Sequence, residues 1–422
     1  MSAPRTILFV GAGRHQRRAL RRARELGLHV VAVDGNPEAL GRDLADVAEI
    51  VDFRDVDAVE SAGRRHAADG VFTVASDRAV PVVAEVASRL GLPSIGLPTA
   101  IRMTDKLAMR RALAQAGILQ PRFAAVRTTA EGRAALEQVG LPAVLKPADA
   151  AGQRGLALIR EAAELEEHLA EALERATTGE AILESFHEGR EVNTLLVARG
   201  GEPTLLTASD RLRPQGRGFG VALAHVYPPD LDPATRRDLE RTAVATVRAL
   251  GLCDGVAYPQ LLVCEDGVRV VEVAARIPGG QMSEVVRHAI GVDLIEVALR
   301  QALGDPIPDE LVRPRVQQPM AIVFLTACPG TLVPGRVVRV GPLEPLLELP
   351  GVVEAESYMV LGETVRPVQR DGDRRGYVIA VGDSREQALA RGEEAARRFP
   401  VTIVPSATEV PAEVTPAEPR PR

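Results

Sequence analysis

At 422 residues the chain exceeds the roughly 250 to 300 residues at which a single hydrophobic core stops growing, so two or three modules are expected. Its 46% hydrophobic and 26% charged content is that of a soluble globular protein; no apolar run approaches the ~20 residues of a membrane span and no signal-peptide pattern follows Met1, so a cytoplasmic protein without membrane association is expected. A net charge of −6 argues against nucleic-acid binding, and Cys253, Cys264 and Cys328, lacking metal-ligand spacing, read as core thiols rather than a disulfide framework or zinc site.

The run Thr6-Ile-Leu-Phe-Val10, the turn Gly11-Ala-Gly13 and an Arg/Ala/Leu helix to about Leu26 read as strand, glycine turn and helix, with Val30 to Asp34 as the next strand. The arginines of this helix form a solvated face. Alternation continues through a strand Gly70–Val74 and a helix Val80–Leu90, which predicts a doubly wound parallel sheet over residues 1–103. From Thr104 the pattern becomes a short helix (Asp105 to Ala116), a loop ending at Pro121, and strands at Ala143–Lys146 and Ala181–Glu184 with longer connections. A second, α+β module over 104–305 is expected, closing after a helix Leu294–Leu303. A third, small α+β module over 306–404 carries a strand Gly376–Ala380 and a helix Ser384–Arg398; the Pro/Glu/Ala-rich segment 405–422 has little to bury and is expected to be disordered.

Of the 51 basic residues only two, Lys106 and Lys146, are lysines. Arginine can replace lysine wherever a surface charge suffices, but not where a compact ammonium must fit a tight phosphate pocket, so the two survivors mark candidate special sites. Lys146 ends an apolar strand and precedes Pro-Ala-Asp-Ala-Ala-Gly152-Gln-Arg-Gly155, a loop of small residues whose glycines allow close backbone approach to a polyphosphate. Farther on, Ala181 to Glu184 breaks into a carboxylate-rich turn that includes Phe186, Glu188 and Glu191. Gln260 and then Glu272 lie on what reads as a hairpin, with Arg276 four residues beyond; an acid facing phosphates is a candidate Mg²⁺ ligand. Gly11, Gly13 and Asp34 make up most of a dinucleotide fingerprint, but Gln16 stands where its third glycine belongs, and the turn reads as packing.

In this order the pieces resemble the ATP-grasp superfamily, in particular the carboxylate-amine ligases and relatives such as biotin carboxylase and carbamoyl phosphate synthetase, and the resemblance spans almost the whole chain. It implies an N-terminal Rossmann-like domain, a central ATP-grasp fold and a small closing domain, with ATP and Mg²⁺ as cofactors. Lys106 and Lys146 match the two ATP lysines, and Gly152 and Gly155 the mobile phosphate-covering loop. Glu184 to Phe186 match the hinge whose backbone receives adenine, and Glu191 the residue that meets the ribose. Glu272 matches the metal-binding glutamate and Arg276 an arginine near the transferred phosphate, with Lys146 and Arg276 in catalytic roles. Two positions depart from the pattern: Gln260 stands where a second metal-binding acid is usual, and Ala274 where an asparagine is usual. Glu284 is a nearby acid that could compensate.

The implied activity is ligation of a small-molecule carboxylate, activated as an acyl-phosphate, to an amine. The alternatives are a bicarbonate-activating carboxylase and a nucleotide-binding protein whose degraded metal site no longer turns over. No Ser/His/Asp or Cys/His nucleophile constellation competes. Asp210, Arg211 and His225 are secondary candidates for substrate contact. Homodimers are common in the resembled family.

Overall fold

The structure, a computed structural model, describes residues 4–150, 152–214 and 220–405. They fall into two compact units, one drawn from 1–211 and 227–319, the other from 212–226 and 320–422.

The first unit opens with a four-stranded parallel sheet in the order Val47–Ile50, His29–Asp34, Thr6–Val10, Gly70–Phe72. Thr6–Val10 is buried along its whole length, as a central parallel strand covered by helices on both faces must be. Its valines and leucines pack with those of the helices Val56–Arg65 and Ala79–Leu90. The edge strand Val47–Ile50 has no apolar run to announce it, because half-exposed Glu49 and exposed Ile50 leave only a weak signature. The expected strand through Val74 stops at Phe72, beyond which Thr73 Oγ1 donates to Val10 O at 2.8 Å.

Two antiparallel sheets follow. The first is ordered Phe123–Val126, Ala181–Ser185, Ala143–Pro147, Ala157–Ile159, and packs on the helices Thr129–Val139 and Leu165–Arg175. The second runs Gly267–Ala274, Gly255–Cys264, Arg190–Arg199, Glu202–Leu212. Behind it lies the helix Pro233–Leu250, started by Asp232, whose carboxylate accepts from Ala234 and Thr235 N–H, and stopped by Gly251 at φ +79°. Its buried Leu239, Ala243, Val247 and Leu250 recur at helical spacing and face the sheet core.

In the second unit, Met320–Phe324 pairs antiparallel with Gly376–Val381, which pairs with Val352–Ser357, while Gly335–Val340 sits between Thr364–Val365 and Val401–Pro405. The helix Arg385–Arg397 covers their common core. Pro405 therefore ends a strand, and the remainder of the expected disordered tail, 406–422, lies outside the described residues. The cysteines correct an expectation: Cys253 is exposed and Cys264 and Cys328 are half-buried, so none is a core thiol. Cys253 sits between the helix end at Gly251 and the strand starting at Gly255, where chain reversal rather than burial decides exposure.

Candidate active site

The two lysines arrive from different elements. Lys106 opens the helix Lys106–Gln115, where Asp105 caps the first turn by accepting from Ala108 N–H at 2.7 Å. Its own N–H donates to Ala148 O at 2.9 Å, which fastens the helix start to the strand end beyond Lys146. The Lys106 ammonium donates to Ala150 O at 2.6 Å and stands 3.4 Å from the Glu272 carboxylate. Lys146 lies in Ala143–Pro147, whose register against Ala181–Ser185 pairs Val144 with Glu184 and Lys146 with Ile182. Strand side chains two apart share a face, so Lys146 and Glu184 meet on the diagonal, Nζ to Oε2 2.8 Å. Both lysines are buried, at 5% and 6% relative exposure.

Between them lies a residue that carried no sequence signal of its own. Arg110, four residues after Lys106 and so on the same helix face, is fully buried. Its Nε donates to Glu184 Oε1 at 2.8 Å, while Nη1 and Nη2 donate to the carbonyls of Val270 and Val271 at 2.8 and 2.6 Å. Glu184 thus bridges Arg110 and Lys146, and Arg110 ties both to the strand that bears Glu272. Burial opposes ionisation of Glu184, but the Arg110 and Lys146 charges outweigh it and bring its carboxyl down to about 2. Burial pulls the Lys146 ammonium below the usual lysine range, with Glu184 opposing.

Glu272 belongs to a polar row across four strands. It pairs with Gln260, Gln260 with Asn193, and Asn193 with Ser209, so the four side chains share one sheet face. Asn193 and Ser209 are almost wholly buried, and Ser209 Oγ lacks a hydrogen-bond partner. Glu191, two residues before Asn193 on the same face, is ion-paired with Arg211 at 2.7 Å. Asp210 accepts from Asp230 N–H at 3.0 Å.

The other anticipated residues are placed as follows. Gly152 and Gly155 both take positive φ, +72° and +69°, as does Gln153 at +64°; a Cβ at Gly155 would sit 3.1 Å from Pro147. At the hinge, Ser185 N–H donates to Arg122 O at 2.9 Å and Phe186 N–H to Pro142 O at 3.0 Å. Those two backbone donors are thus already engaged, and the Glu184 side chain holds cations, so this stretch acts within the protein. Arg276 is clamped by the Asp77 carboxylate, Nε to Oδ1 2.8 Å with Nη2 on Oδ2, while its buried Nη1 has no partner. Asp77 follows the short parallel strand Gly70–Phe72, and its pairing with a residue 199 positions away left no trace in the sequence. Glu284 is ion-paired with Arg18 and Arg287 at 3.2 and 2.5 Å. His225 lies in the second unit, edge-on to Phe324 at 5.4 Å.

The glycine turn of the parallel sheet serves packing, as expected. Gln16 fills the space over Gly11 and donates to Val74 O at 2.7 Å, while Asp34 accepts from the N–H groups of Ala12 and Asn36 at 2.7 and 2.8 Å. The acid that would meet a ribose hydroxyl in a dinucleotide site is spent on the turn itself.

The donor set suits a nucleotide with a hard cation. Two ammonium groups and the Arg110 guanidinium stand with the carboxylates of Glu184 and Glu272, and Gln260 lies directly across from Glu272; one acid and one neutral amide carbonyl side by side are ligands that Mg²⁺ accepts when phosphate oxygens and water complete its shell.

Three family models match the chain: the carbamoyl-phosphate synthase L chain ATP-binding domain over residues 105–310, the ATP-grasp N-terminal domain over 20–94, and the L-amino acid ligase C-terminal domain 2 over 323–404. A formate-dependent phosphoribosylglycinamide formyltransferase of Synechococcus sp. (strain CC9605) is 26% identical over 416 residues, covering 96% of this chain and 99% of that one. The solved L-amino acid ligase from Bacillus licheniformis superposes with a TM-score of 0.81 at 21% identity, covering 96% and 100% of the two chains. The biotin carboxylase domain of the Hydrogenobacter thermophilus 2-oxoglutarate carboxylase, solved with MgADP, ADP and bicarbonate, does so at 0.75 and 18%, covering 96% and 92%. The chain belongs to the ATP-grasp superfamily, among its carboxylate-amine ligase-like members.

Proposed function

We infer that this protein is an ATP-dependent ligase that joins a small-molecule carboxylate to an amine, giving an amide, ADP and phosphate. The observation that carries the reading is the convergence of its only two lysines, from separate elements, on the carboxylates of Glu184 and Glu272. When bound, Mg-ATP supplies the phosphoryl group that converts a carboxylate oxygen into a leaving group.

The chain's own residues do the positioning. Lys106 and Lys146 offset phosphate charge in a buried setting where each ammonium counts for more than in water. Glu184 and Arg110 hold Lys146 in place, and the glycines at 152 and 155 let backbone N–H groups approach oxygen atoms. Glu272 with the Gln260 carbonyl would hold Mg²⁺, Glu191 the ribose, and the hinge from Glu184 to Phe186 the adenine. Arg276, oriented by Asp77, would face the transferred charge. Residues 1–103, 104–305 and 306–404 serve in this reading as pre-grasp, nucleotide and closing modules, which the change from a parallel to antiparallel sheets and the three matched models support.

The test is ADP and phosphate release by the full chain across a matrix of carboxylates and amines. The ligase reading requires release that depends on both substrates. Release that needs bicarbonate and no amine would establish the carboxylase reading instead, and tight Mg-ATP binding with no release under any combination would establish a non-catalytic nucleotide binder.

A further inference from the structure

A cavity of about 570 Å³, the volume of a small-molecule site, lies within the first unit, and none of Lys106, Lys146, Glu184, Glu191, Gln260 and Glu272 lines it. Its floor is aliphatic and buried: Val71 from the parallel sheet, Val80 from the helix Ala79–Leu90, Val256 from the strand Gly255–Cys264 and Ala298 from the helix Leu294–Ala302. Its mouth is the exposed rim of Pro93, Ser94, Asp254 and Pro306. Protein interiors pack too closely to leave many voids larger than a water, and water over an aliphatic floor lacks polar partners to hold it. An apolar molecule that replaces such water gains free energy.

All four charged residues of the lining are engaged within the protein. Arg199 pairs with Asp309 at 2.7 Å, Asp305 with Arg5 at 2.5 Å and Arg276 with Asp77 at 2.8 Å, while Asp254 at the rim accepts from Gly200 N–H at 2.9 Å. The floor offers no counter-charge, so an ionised group sunk into it would lose its hydration without compensation. The cavity also backs onto a junction of the chain. Ala275, Arg276 and Ile277, which line it, directly follow the strand bearing Glu272. Ile277 O accepts from Ala75 N–H at 2.9 Å and Arg276 is clamped by Asp77, so this segment is fastened to the stretch after the strand Gly70–Phe72. Phe72 and Thr73 at the start of that stretch line the cavity too, as does Gly255, which opens the strand carrying Gln260.

We propose that this cavity is an effector site for an uncharged small molecule with an aliphatic body, separate from the nucleotide residues and coupled to them through the segment Ala275–Ile277. The body lies on the valine and alanine floor, and a polar end stays at the rim beside Ser94 and Asp254. A ligand there fills the space between the strand Gly70–Phe72 and the start of the strand Gly255–Cys264, and braces the junction that holds the end of the Glu272 strand. Mg-ATP then meets a site already ordered and binds more tightly. The coupling rests on the nucleotide reading; the cavity as a ligand site does not.

The experiment titrates the full chain calorimetrically with straight-chain primary alcohols from butanol to octanol, without nucleotide. Affinity should rise about fourfold per added methylene until the cavity is filled, and hexanoate should bind about tenfold more weakly than hexanol. Ala298→Leu and Ala302→Leu, made separately one turn apart on the same helix, should each weaken hexanol binding by about tenfold or more in variants that still unfold cooperatively. Saturating hexanol should tighten Mg-ATP binding about fivefold, saturating Mg-ATP should tighten hexanol binding by the same factor, and neither variant should show this coupling. No saturable alcohol binding, affinity independent of chain length, or hexanol binding unchanged in both folded variants overturns the site. Hexanoate binding as tightly as hexanol overturns the uncharged ligand class, and Mg-ATP affinity equal with and without hexanol overturns the effector role. Failure of the nucleotide reading shows separately, as no Mg-ATP binding with or without hexanol; it removes the effector role, while the alcohol titration still decides the site.

Discussion

Lys146, Glu184 and Arg110 show what a buried charge network demands of single residues. Glu184 accepts from both cations, and removing its charge would leave two positive groups together in a site closed to water, a change that costs on the order of 3 to 5 kcal/mol. Glu184→Gln should therefore lower the urea midpoint of unfolding at neutral pH. The sign of the pH dependence follows from the carboxyl being held at about 2 against an ordinary 4.5. Its contribution is complete above about 4.5 and is lost as the pH falls towards 2, so the gap between parent and Glu184→Gln should narrow across that interval. A gap that stays constant from pH 7 to pH 3 would show that Glu184 is not the group being titrated. Lys146→Arg keeps the charge but adds a planar fork beside Arg110 in space fitted to an ammonium. Mg-ATP binding should weaken about tenfold or more, and equal affinity would refute the reason given for lysine surviving there.

At the scale of elements, sheet register decides what the metal site can be. Glu272, Gln260, Asn193 and Ser209 are scattered over 80 positions of sequence, and pairing alone sets them side by side. The first two were legible as a hairpin carrying an acid. Asn193 and Ser209 were not singled out as site residues, because which residues stand opposite each other depends on strand order and on bulges such as the shift after Gln260. The same row makes Gln260→Glu informative. Without Mg²⁺ a second carboxylate directly across from Glu272 is repulsive and should lower the melting temperature. With Mg²⁺ the pair supplies two anionic ligands, so the rise in melting temperature on adding Mg-ATP should exceed that of the parent. If the rise is no larger, Gln260 does not face the cation.

Across the whole molecule, what could be read from the chain was what local pattern encodes. The buried run Thr6–Val10, the glycine turn and the helix Ala79–Leu90 announced the parallel sheet, while edge strand Val47–Ile50, too short and polar for periodicity, did not. Links between distant segments, Arg276 with Asp77 above all, arise only when the fold closes. Composition carried one global fact that folding sharpens: 49 arginines cannot acylate as amines do, and both lysines are buried at 5% and 6% exposure. Brief treatment of the native chain with an N-hydroxysuccinimide ester should accordingly modify at most the α-amino group, and denaturation should add two further labels, at Lys106 and Lys146. Prolonged labelling of the native chain reaches them only through local opening, so saturating Mg-ATP should slow it at both positions together. Mass mapping decides the matter: rapid native labelling of either lysine would contradict its burial, and protection of one without the other would show that they do not grip the same ligand.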